Sequence, residues 1–166
     1  LARVGAYYHD VGKLKRPMYF KENQLSDNPH DRTDPRVSTA ILIAHPRDGA
    51  QMALKARIPM PIVDIIRQHH GDSLVLYFYD KAVKLYGSDV DIASFRYEGP
   101  RPRTREAAVV MLADTIEAAT RAQANPTPEK MEQLIRKLVR EKLDDGQLND
   151  CPLTFNDLDK ICATFC

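Results

Sequence analysis

The stretch GAYYHDVGK, residues 5–13, places an imidazole beside a carboxylate at His9-Asp10, close to the start of the chain. Such a pair is common by chance, so the rest of the chain decides what it means. Three further positions follow at wide intervals, and each closes an apolar helical pattern or lies inside one: His45, His69-His70 and Asp114. Nitrogen and oxygen ligands from separate helices are what a divalent metal ion requires. The pattern therefore indicates a metal site between helices.

The composition is that of a globular domain. With 166 residues, 43% of them hydrophobic and 28% charged, the chain can bury one core. Its formal net charge of +1 excludes a broad polyanion-binding surface, so phosphate recognition must be local. No apolar run reaches the roughly 18 residues of a membrane helix, and no signal peptide is visible. Three cysteines without metal-binding spacing are expected to be free thiols in a reducing cytosol: Cys151, Cys162 and Cys166.

Helical periodicity fills the chain, and no stretch alternates as a strand would, which predicts an all-α fold. A helical pattern already runs at Leu1, so we interpret residues 1–166 as a single domain cut from a longer protein. We expect irregular structure at residues 15–33 and 95–103, and a turn at 125–128. The expected helices cover residues 1–11, 35–45, 48–57, 61–69, 74–86, 105–124, 128–143 and a last stretch after Thr154.

The expected helix boundaries follow from proline and capping residues. Pro46 disfavours helical geometry at His45, so we expect a break there, with Asp48 capping a second short helix. Ser73 and Thr104 are expected to cap the helices that follow them. The last helix is expected to begin with a capping box formed by Thr154 and Asp157.

Asp114 lies on the apolar face of its helix, so its carboxylate is expected to point inward. A buried carboxylate either neutralises or finds a cation, and an arginine is the alternative to a metal. His45 and His69 each follow branched aliphatic residues by one turn, although a single histidine on such a face is more often a core residue. His70 alone could be a solvated residue at a helix end. Taken together, three inward histidines and two inward acids favour a metal centre, and His30 stays outside this set.

Further strings accompany these residues: YYHDVGKLKRP, FKENQ, NPHD, HHGD, YFYDKA, FRYEGPRPRTRE and MLADTIEAATR. The order His-Asp, His, His-His, Asp on successive helices resembles the HD-domain metal-dependent phosphohydrolases. The adjacent His69-His70 is similar to the binuclear branch of that superfamily. More narrowly, residues 1–145 resemble the cytosolic domain of the seven-transmembrane HD family, bacterial membrane proteins that hydrolyse cyclic di-AMP. The resemblance implies an HD-domain helical bundle with the metal site in the bundle core.

The resemblance also implies a ligand set for two divalent metal ions. Asp10 would bridge the ions, His9 and Asp114 would complete one site, and the other would use His45, His69 and His70. A further histidine ligand is implied upstream of residue 1, outside this sequence. Pro46 and Asp72 depart from the usual family residues without removing a ligand. Ligation rich in histidine suits iron or manganese better than calcium.

Substrate contacts are predicted from the positive charges near these ligands. Asp10 and Lys13 are the predicted catalytic residues, because Lys13 follows by one turn and could neutralise a phosphate oxygen; a solvated lysine is the alternative. Arginines before the Asp114 helix could hold a second phosphate bidentately, or form a solvated basic loop: Arg96, Arg101, Arg103 and Arg105. Tyr97 could stack on a base, or could belong to the core or rim.

The leading hypothesis is hydrolysis of cyclic di-AMP to the linear dinucleotide pApA. The alternatives are a phosphohydrolase acting on cyclic di-GMP or a guanosine polyphosphate, and a catalytically silent nucleotide-binding signalling module. The six intact candidate ligands argue against the silent module. The expected partner is a cyclic dinucleotide and not a nucleic-acid polymer, and a homodimer is compatible with the sequence. The expected location is cytoplasmic, in an inner or plasma membrane protein whose transmembrane segments lie outside this chain.

Overall fold

The computed structural model describes residues 1–24, 27–123 and 127–166. Within these ranges the only strand-type pairing is one antiparallel bridge between Leu74 and Arg96, so the all-α prediction is confirmed. No helix in the described part of the chain is both long and apolar enough to cross a membrane. The described α-helices are α1 (Ala2–Tyr8), α2 (Pro35–Lys55), α3 (Met60–Gln68), α4 (Leu76–Tyr86), α5 (Arg105–Arg121), α6 (Pro128–Asp144) and α7 (Phe155–Phe165).

Short 3₁₀-helices occupy much of the region predicted to be irregular. They cover Val11–Lys15, Pro17–Tyr19, Lys21–Asn23, Pro29–Asp31 and Ile92–Phe95. Their short length explains why the sequence shows no sustained periodicity there, because each one lasts about a single turn. The predicted turn at 125–128 and the predicted helix end at residue 124 fall largely outside the described residues, although α6 does begin at Pro128.

Helix α5 lies at the centre of the core, because its two sides pack against different helices. Met111, Leu112 and Ile116 pack against α6 and α7, in a cluster that includes Ile135. Ala107 and Val110 pack against α3 on the other side. A separate apolar cluster joins α2 to α3. Another joins α4 to the segment before α5. These clusters hold the C-terminal ends of α1 and α3 beside the middle of α2 and of α5. A polar centre lies between the four helices, and its polar side chains belong to none of the clusters.

The backbone at Gly12 packs directly on the backbone of α2. A Cβ atom at Gly12 would lie 2.6 Å from the Gly49 nitrogen, and closer still to the carbonyl oxygen of His45. No residue with a side chain fits at this position without moving the main chain. The close approach of Gly12 to α2 brings the neighbouring Asp10 beside His45.

We expect Gly12→Ala to lower the free energy of unfolding by about 1–3 kcal/mol or more, the usual cost of overpacking. The cost arises because the added methyl group meets backbone atoms, which cannot move independently of α2. Urea denaturation measures the change. Gly5→Ala is the matched control, with a smaller expected loss, since its Cβ meets only side-chain atoms of Ile65. A Gly12→Ala variant as stable as the wild type would contradict this packing.

The predicted break at Pro46 is wrong, because α2 continues through this residue to Lys55. Proline lacks the N–H group that would bind the carbonyl oxygen of Leu42, four residues earlier. The imidazole Nδ1 of His45 lies 2.7 Å from that oxygen and supplies the missing hydrogen bond. Asp48 is therefore inside the helix rather than at a cap, and its carboxylate accepts a hydrogen bond of 2.9 Å from Lys15.

Two further boundaries differ from the predictions. Helix α1 ends at Tyr8, three residues early, and α4 begins at Leu76 after the N-cap Val75. Ser73 is not a cap, because its hydroxyl accepts a hydrogen bond of 2.7 Å from Lys142 of α6. The predicted cap of α5 and the capping box of α7 are both confirmed.

Candidate metal centre

Six polar side chains converge from α2 and α5 and from the turns that follow α1 and α3. They form two groups in which candidate ligand atoms lie within 4.8 Å of one another. The three-histidine group contains Asp10, His45, His69 and His70, and the His9 group contains His9, Asp10 and Asp114. The structure thus brings together all six residues predicted as metal ligands, with Asp10 common to both groups.

The carboxylate of Asp10 directs one oxygen toward each group. Its Oδ1 lies 3.3 Å from Nε2 of His45 and 3.6 Å from Nε2 of His69. Its Oδ2 lies 3.2 Å from Nε2 of His9 and 2.6 Å from Nζ of Lys13. Asp114 faces His9 from the other side, at 3.5 Å. This is the placement that a carboxylate needs if it is to bridge two cations.

Three of the histidine rings are oriented by the same local hydrogen bond. The Nδ1 atoms of His9, His45 and His69 each lie 2.7 Å from a backbone carbonyl oxygen three residues earlier in the chain. A carbonyl oxygen only accepts, so geometry assigns the Nδ1 proton as the donor. In a neutral ring the lone pair is then on Nε2, the atom that faces Asp10. A hydrogen bond from the second nitrogen is the usual support of a metal-binding histidine.

The Nε2 atoms of two of these rings meet directly. Nε2 of His45 lies 3.0 Å from Nε2 of His69, and because Nδ1 is the donor atom in each ring, the two Nε2 atoms would present lone pairs to each other. Nε2 of His9 and Oδ1 of Asp10 are buried without a hydrogen-bond partner among the described residues. A buried polar atom without a partner is costly, and a cation would satisfy all of these atoms. The donor set of imidazoles and carboxylates therefore fits first-row divalent metals.

The pKa values of the histidines differ between the two groups. Burial lowers the pKa of His69 and lowers that of His70 well below its usual range. Both rings are therefore neutral, which is the form that binds metal. Burial also acts to lower the pKa of His9, but the nearby carboxylates of Asp10 and Asp114 outweigh it and raise the pKa to about 10. In the metal-free protein a proton thus occupies the position between two carboxylates that a cation would take.

Lys13 is held beside Asp10 by residues from the segment that follows it. Its Nζ lies 2.6 Å from Oδ2 of Asp10 and 2.6 Å from a carboxylate oxygen of Glu22. It also lies 5.2 Å from the ring centroid of Phe20. Burial favours the neutral amine, but the two carboxylates outweigh it and raise the pKa of Lys13. The lysine is therefore charged, and Glu22 and Phe20 are neighbours to which the sequence assigned no role.

A cleft of about 450 Å³ opens over the His9 group. Lys13 and Glu22 line it together with two basic residues that the sequence analysis missed, Lys21 and Arg121. The FKENQ string contains Lys21, but nothing in the local pattern distinguishes it from a solvated lysine. Arg121 closes the last turn of α5, far from the other basic residues in sequence.

The predicted phosphate-binding arginines do not line this cleft. Arg101 forms a bidentate pair with Asp72, with both nitrogen-to-oxygen distances 2.9 Å. Arg96 donates to the carbonyl oxygen of Asp72 at 2.9 Å and lies 3.3 Å from a carboxylate oxygen of Asp145. The side chain of Arg103 is exposed, and Arg105 donates to the carbonyl oxygen of Pro152. Their assignment to a phosphate stays a prediction.

Tyr97 lies against the metal-facing histidines rather than in the larger cleft. Its ring stacks on that of His70, with centroids 4.2 Å apart and planes 19° apart. It also lines a second cleft, of about 230 Å³, together with Arg47 and Arg67. His30 is buried, with Nε2 donating to the carbonyl oxygen of Tyr19, and belongs to neither of the two ligand groups.

Known proteins are similar to this chain in sequence and in fold. The family model described as HD domain matches residues 1–119. The cyclic-di-AMP phosphodiesterase PgpH of Bacillus subtilis is 52% identical over 167 residues, and that of Listeria monocytogenes is 44% identical over 165 residues. These alignments cover 100% and 99% of this chain, but the chain spans only 23% of the length of each relative.

The crystal structure of the L. monocytogenes phosphodiesterase PgpH HD domain has a TM-score of 0.92 to this chain, and its complex with cyclic-di-AMP has a TM-score of 0.96. Both are 42% identical and cover 99% of this chain and 77% of the crystallised chain. The match of the family model, the identity and the shared fold agree with the motifs read from the sequence. The chain belongs to the HD-domain family.

Proposed function

We propose that this domain is a metal-dependent phosphodiesterase that hydrolyses cyclic di-AMP to pApA. The observation that carries the proposal is the carboxylate of Asp10, which directs one oxygen to His45 and His69 and the other to His9. Two relatives named cyclic-di-AMP phosphodiesterases, 52% and 44% identical, support the choice of substrate. A similar HD domain crystallised with cyclic-di-AMP supports it further.

The ligand groups suit two divalent ions, iron or manganese. His45, His69, His70 and Asp10 would hold one ion, and His9, Asp114 and Asp10 the other. When bound, two such ions lower the pKa of a water molecule and neutralise the charge of a phosphodiester. The unpartnered atoms of His9 and Asp10 are the feature of the metal-free protein that fits this occupancy.

The chain's own residues bind and orient the substrate. Lys13 lies on the open side of Asp10, where its charged amine reaches a phosphate oxygen above the metal centre. Glu22 and Phe20 restrict Lys13 to that position. Lys21 adds positive charge to the rim of the same cleft, where Arg121 pairs with Glu117. Arg96, Arg101, Arg103 and Tyr97 remain candidates for the second phosphate and a base.

An assay with one nucleotide at a time, in the presence of Mn²⁺, tests the proposal. Cyclic di-AMP should be converted to pApA faster than cyclic di-GMP or guanosine tetraphosphate is hydrolysed. A preference for either of the other nucleotides would favour a phosphohydrolase of different specificity. Tight binding of cyclic di-AMP with no turnover at any metal concentration would instead identify a signalling module.

Lys13→Met is expected to reduce kcat/KM for cyclic di-AMP roughly 10- to 100-fold, because a hydrogen bond from a charged group contributes about 1.5–3 kcal/mol. The number of bound metal ions should stay at the wild-type value, since Lys13 is not a ligand. Lys15→Met is the matched control, because Lys15 pairs with Asp48 and does not line the cleft. Equal kcat/KM values for Lys13→Met and the wild type would remove Lys13 from the substrate site.

We further propose that residues 1–166 act as one domain of a longer, membrane-anchored bacterial protein and face the cytoplasm. The support is the length of the relatives, of which this chain spans 23%. A homodimer stays a prediction.

A further inference from the structure

His70 differs from the other metal-facing histidines in how its ring is held. The rings of His9, His45 and His69 each donate from Nδ1 to a carbonyl oxygen of the preceding turn. Among the described residues, His70 has no hydrogen bond of this kind, and its Nδ1 is 3.8 Å from a carboxylate oxygen of Asp114. Its side chain lies just beyond the end of α3, where no helical turn fixes it. Another contact must therefore set the direction of this imidazole.

The ring of Tyr97 covers one face of the His70 imidazole. The two rings are nearly parallel, at 19°, with centroids 4.2 Å apart, whereas the rings of His45 and Tyr97 meet edge to face at 6.1 Å. A stacked neighbour at this distance leaves the imidazole free to slide but restricts its rotation. Tyr97 thus restricts the plane of the His70 ring, whereas the other three rings are oriented by hydrogen bonds to carbonyl oxygens.

The backbone of Tyr97 is joined to the segment that carries His70. The N–H group of Tyr97 donates to the carbonyl oxygen of Ser73 at 3.0 Å, and that of Val75 donates to Phe95 at 2.8 Å. The antiparallel bridge between Leu74 and Arg96 lies between these two bonds. Phe95 anchors the pairing because only 1% of its surface is exposed. The tyrosine therefore keeps a fixed distance from the turn that follows His70.

A second set of contacts, the Asp72 cluster (Asp72, Arg101 and Gln147), holds the turn itself. Gln147 is fully buried, donates to Oδ1 of Asp72 at 2.6 Å and accepts from the Asp72 N–H group at 3.2 Å. Arg101 pairs bidentately with the same carboxylate. Gly71 turns with φ of +54°, and any Cβ there would collide with the Gln147 side chain. These contacts fix the main chain on the C-terminal side of His70.

We propose that Tyr97 and the Asp72 cluster position His70 as a ligand of the three-histidine site. This inference rests on the two-metal centre proposed above. It makes Tyr97 a positioning residue, which acts on the metal through His70 and before any substrate binds. It also gives Arg101 a role through Asp72 that does not require contact with a phosphate. Loss of a supporting contact at a metal site typically costs about 10- to 100-fold in affinity.

Titration of Mn²⁺ into the metal-free domain, without nucleotide, tests the proposal by isothermal calorimetry. The three-histidine site is expected to be the tighter of the two, because it offers four residues as ligands and the His9 site offers three. Tyr97→Ala should weaken this tighter site by about 10- to 100-fold and leave the weaker site unchanged. Tyr97→Phe retains the stacked ring and should bind as the wild type does. Phe155→Ala is the control for removal of an aromatic ring, because this side chain is 78% exposed on α7 and should change neither site.

Because no nucleotide is present, a role of Tyr97 in base stacking alone predicts no change in either site, which would overturn the inference. Equal weakening by Tyr97→Phe and Tyr97→Ala would also overturn it, since the ring would then not be the positioning element. Arg101→Met is a second variant, which opens the Asp72 cluster and should weaken the tighter site while Tyr97 is intact. A wild-type domain that binds fewer than two ions would instead contradict the proposed function.

Should Tyr97→Ala fail to fold, Tyr97→Leu retains apolar volume without the aromatic face and replaces it in the same titration. Thermal unfolding of each metal-free variant separates the two possible effects. A merely structural contact would lower the midpoint of the metal-free protein and leave the metal affinity of the folded fraction unchanged. Wild-type affinity in both Tyr97→Leu and Arg101→Met would overturn the proposal.

Discussion

Asp10→Ala is expected to abolish hydrolysis of cyclic di-AMP while the domain remains folded. The variant removes Asp10, the residue common to both ligand groups, so each of the two proposed ions would lose a direct ligand. Loss of a supporting contact costs about 10- to 100-fold in metal affinity. Loss of a shared ligand should lower the metal affinity of each site by at least that factor. The fold should survive because none of the four apolar clusters includes Asp10.

Three measurements on the Asp10 variants check this result: turnover, metal content after dialysis and far-ultraviolet circular dichroism. Asp10→Asn keeps the shape of the side chain but offers one oxygen where two are needed, so it should be inactive as well. Asp159→Ala is the control, because Asp159 is exposed and pairs only with Arg136 among the described residues. Near wild-type turnover by Asp10→Ala would rule out the two-metal mechanism.

The inward positions of His45, His69 and Asp114 could be predicted from the helical pattern, whereas the full set of six candidate ligands followed from the family resemblance. His69 and Asp114 follow apolar residues at helical spacing, and burial then restricts what they can do. The break at Pro46 could not be excluded in the same way. Its replacement hydrogen bond comes from a side-chain rotamer of His45, and backbone propensity carries no information about that rotamer.

The arginines show a different limit of sequence reading. Arg96 and Arg101 lie in a basic segment, so local charge suggests a free anion-binding loop. Their partners are 24 to 49 residues away in the chain, and Gln147 joins the same cluster from 75 residues beyond Asp72. The packing of both α3 and α6 against α5 brings these residues together. Side-chain contacts between residues so far apart in the chain leave no periodic pattern in the sequence, so they could not be predicted from it.

The two metal sites are expected to differ in affinity by at least about 10- to 100-fold, the effect of one supporting contact at a metal site. The three-histidine site offers four residues as ligands, whereas the His9 site offers three. Binding at the His9 site must also displace the proton of His9, whose pKa is about 10. The rings of His69 and His70 carry no such proton, since burial lowers their pKa values.

This difference predicts distinct pH dependence for the two binding steps. The pKa of His9 in the metal-free protein is raised, so between pH 7 and pH 10 each unit of increase should strengthen the weaker site by about tenfold, because one proton is released per ion bound. The tighter site should change little over the same range. Calorimetric titration of Mn²⁺ in buffers of different ionisation enthalpy measures the released proton directly. Asp114→Ala should eliminate the pH-dependent step and retain the other, whereas two equal and pH-independent sites would show that His9 is not a ligand.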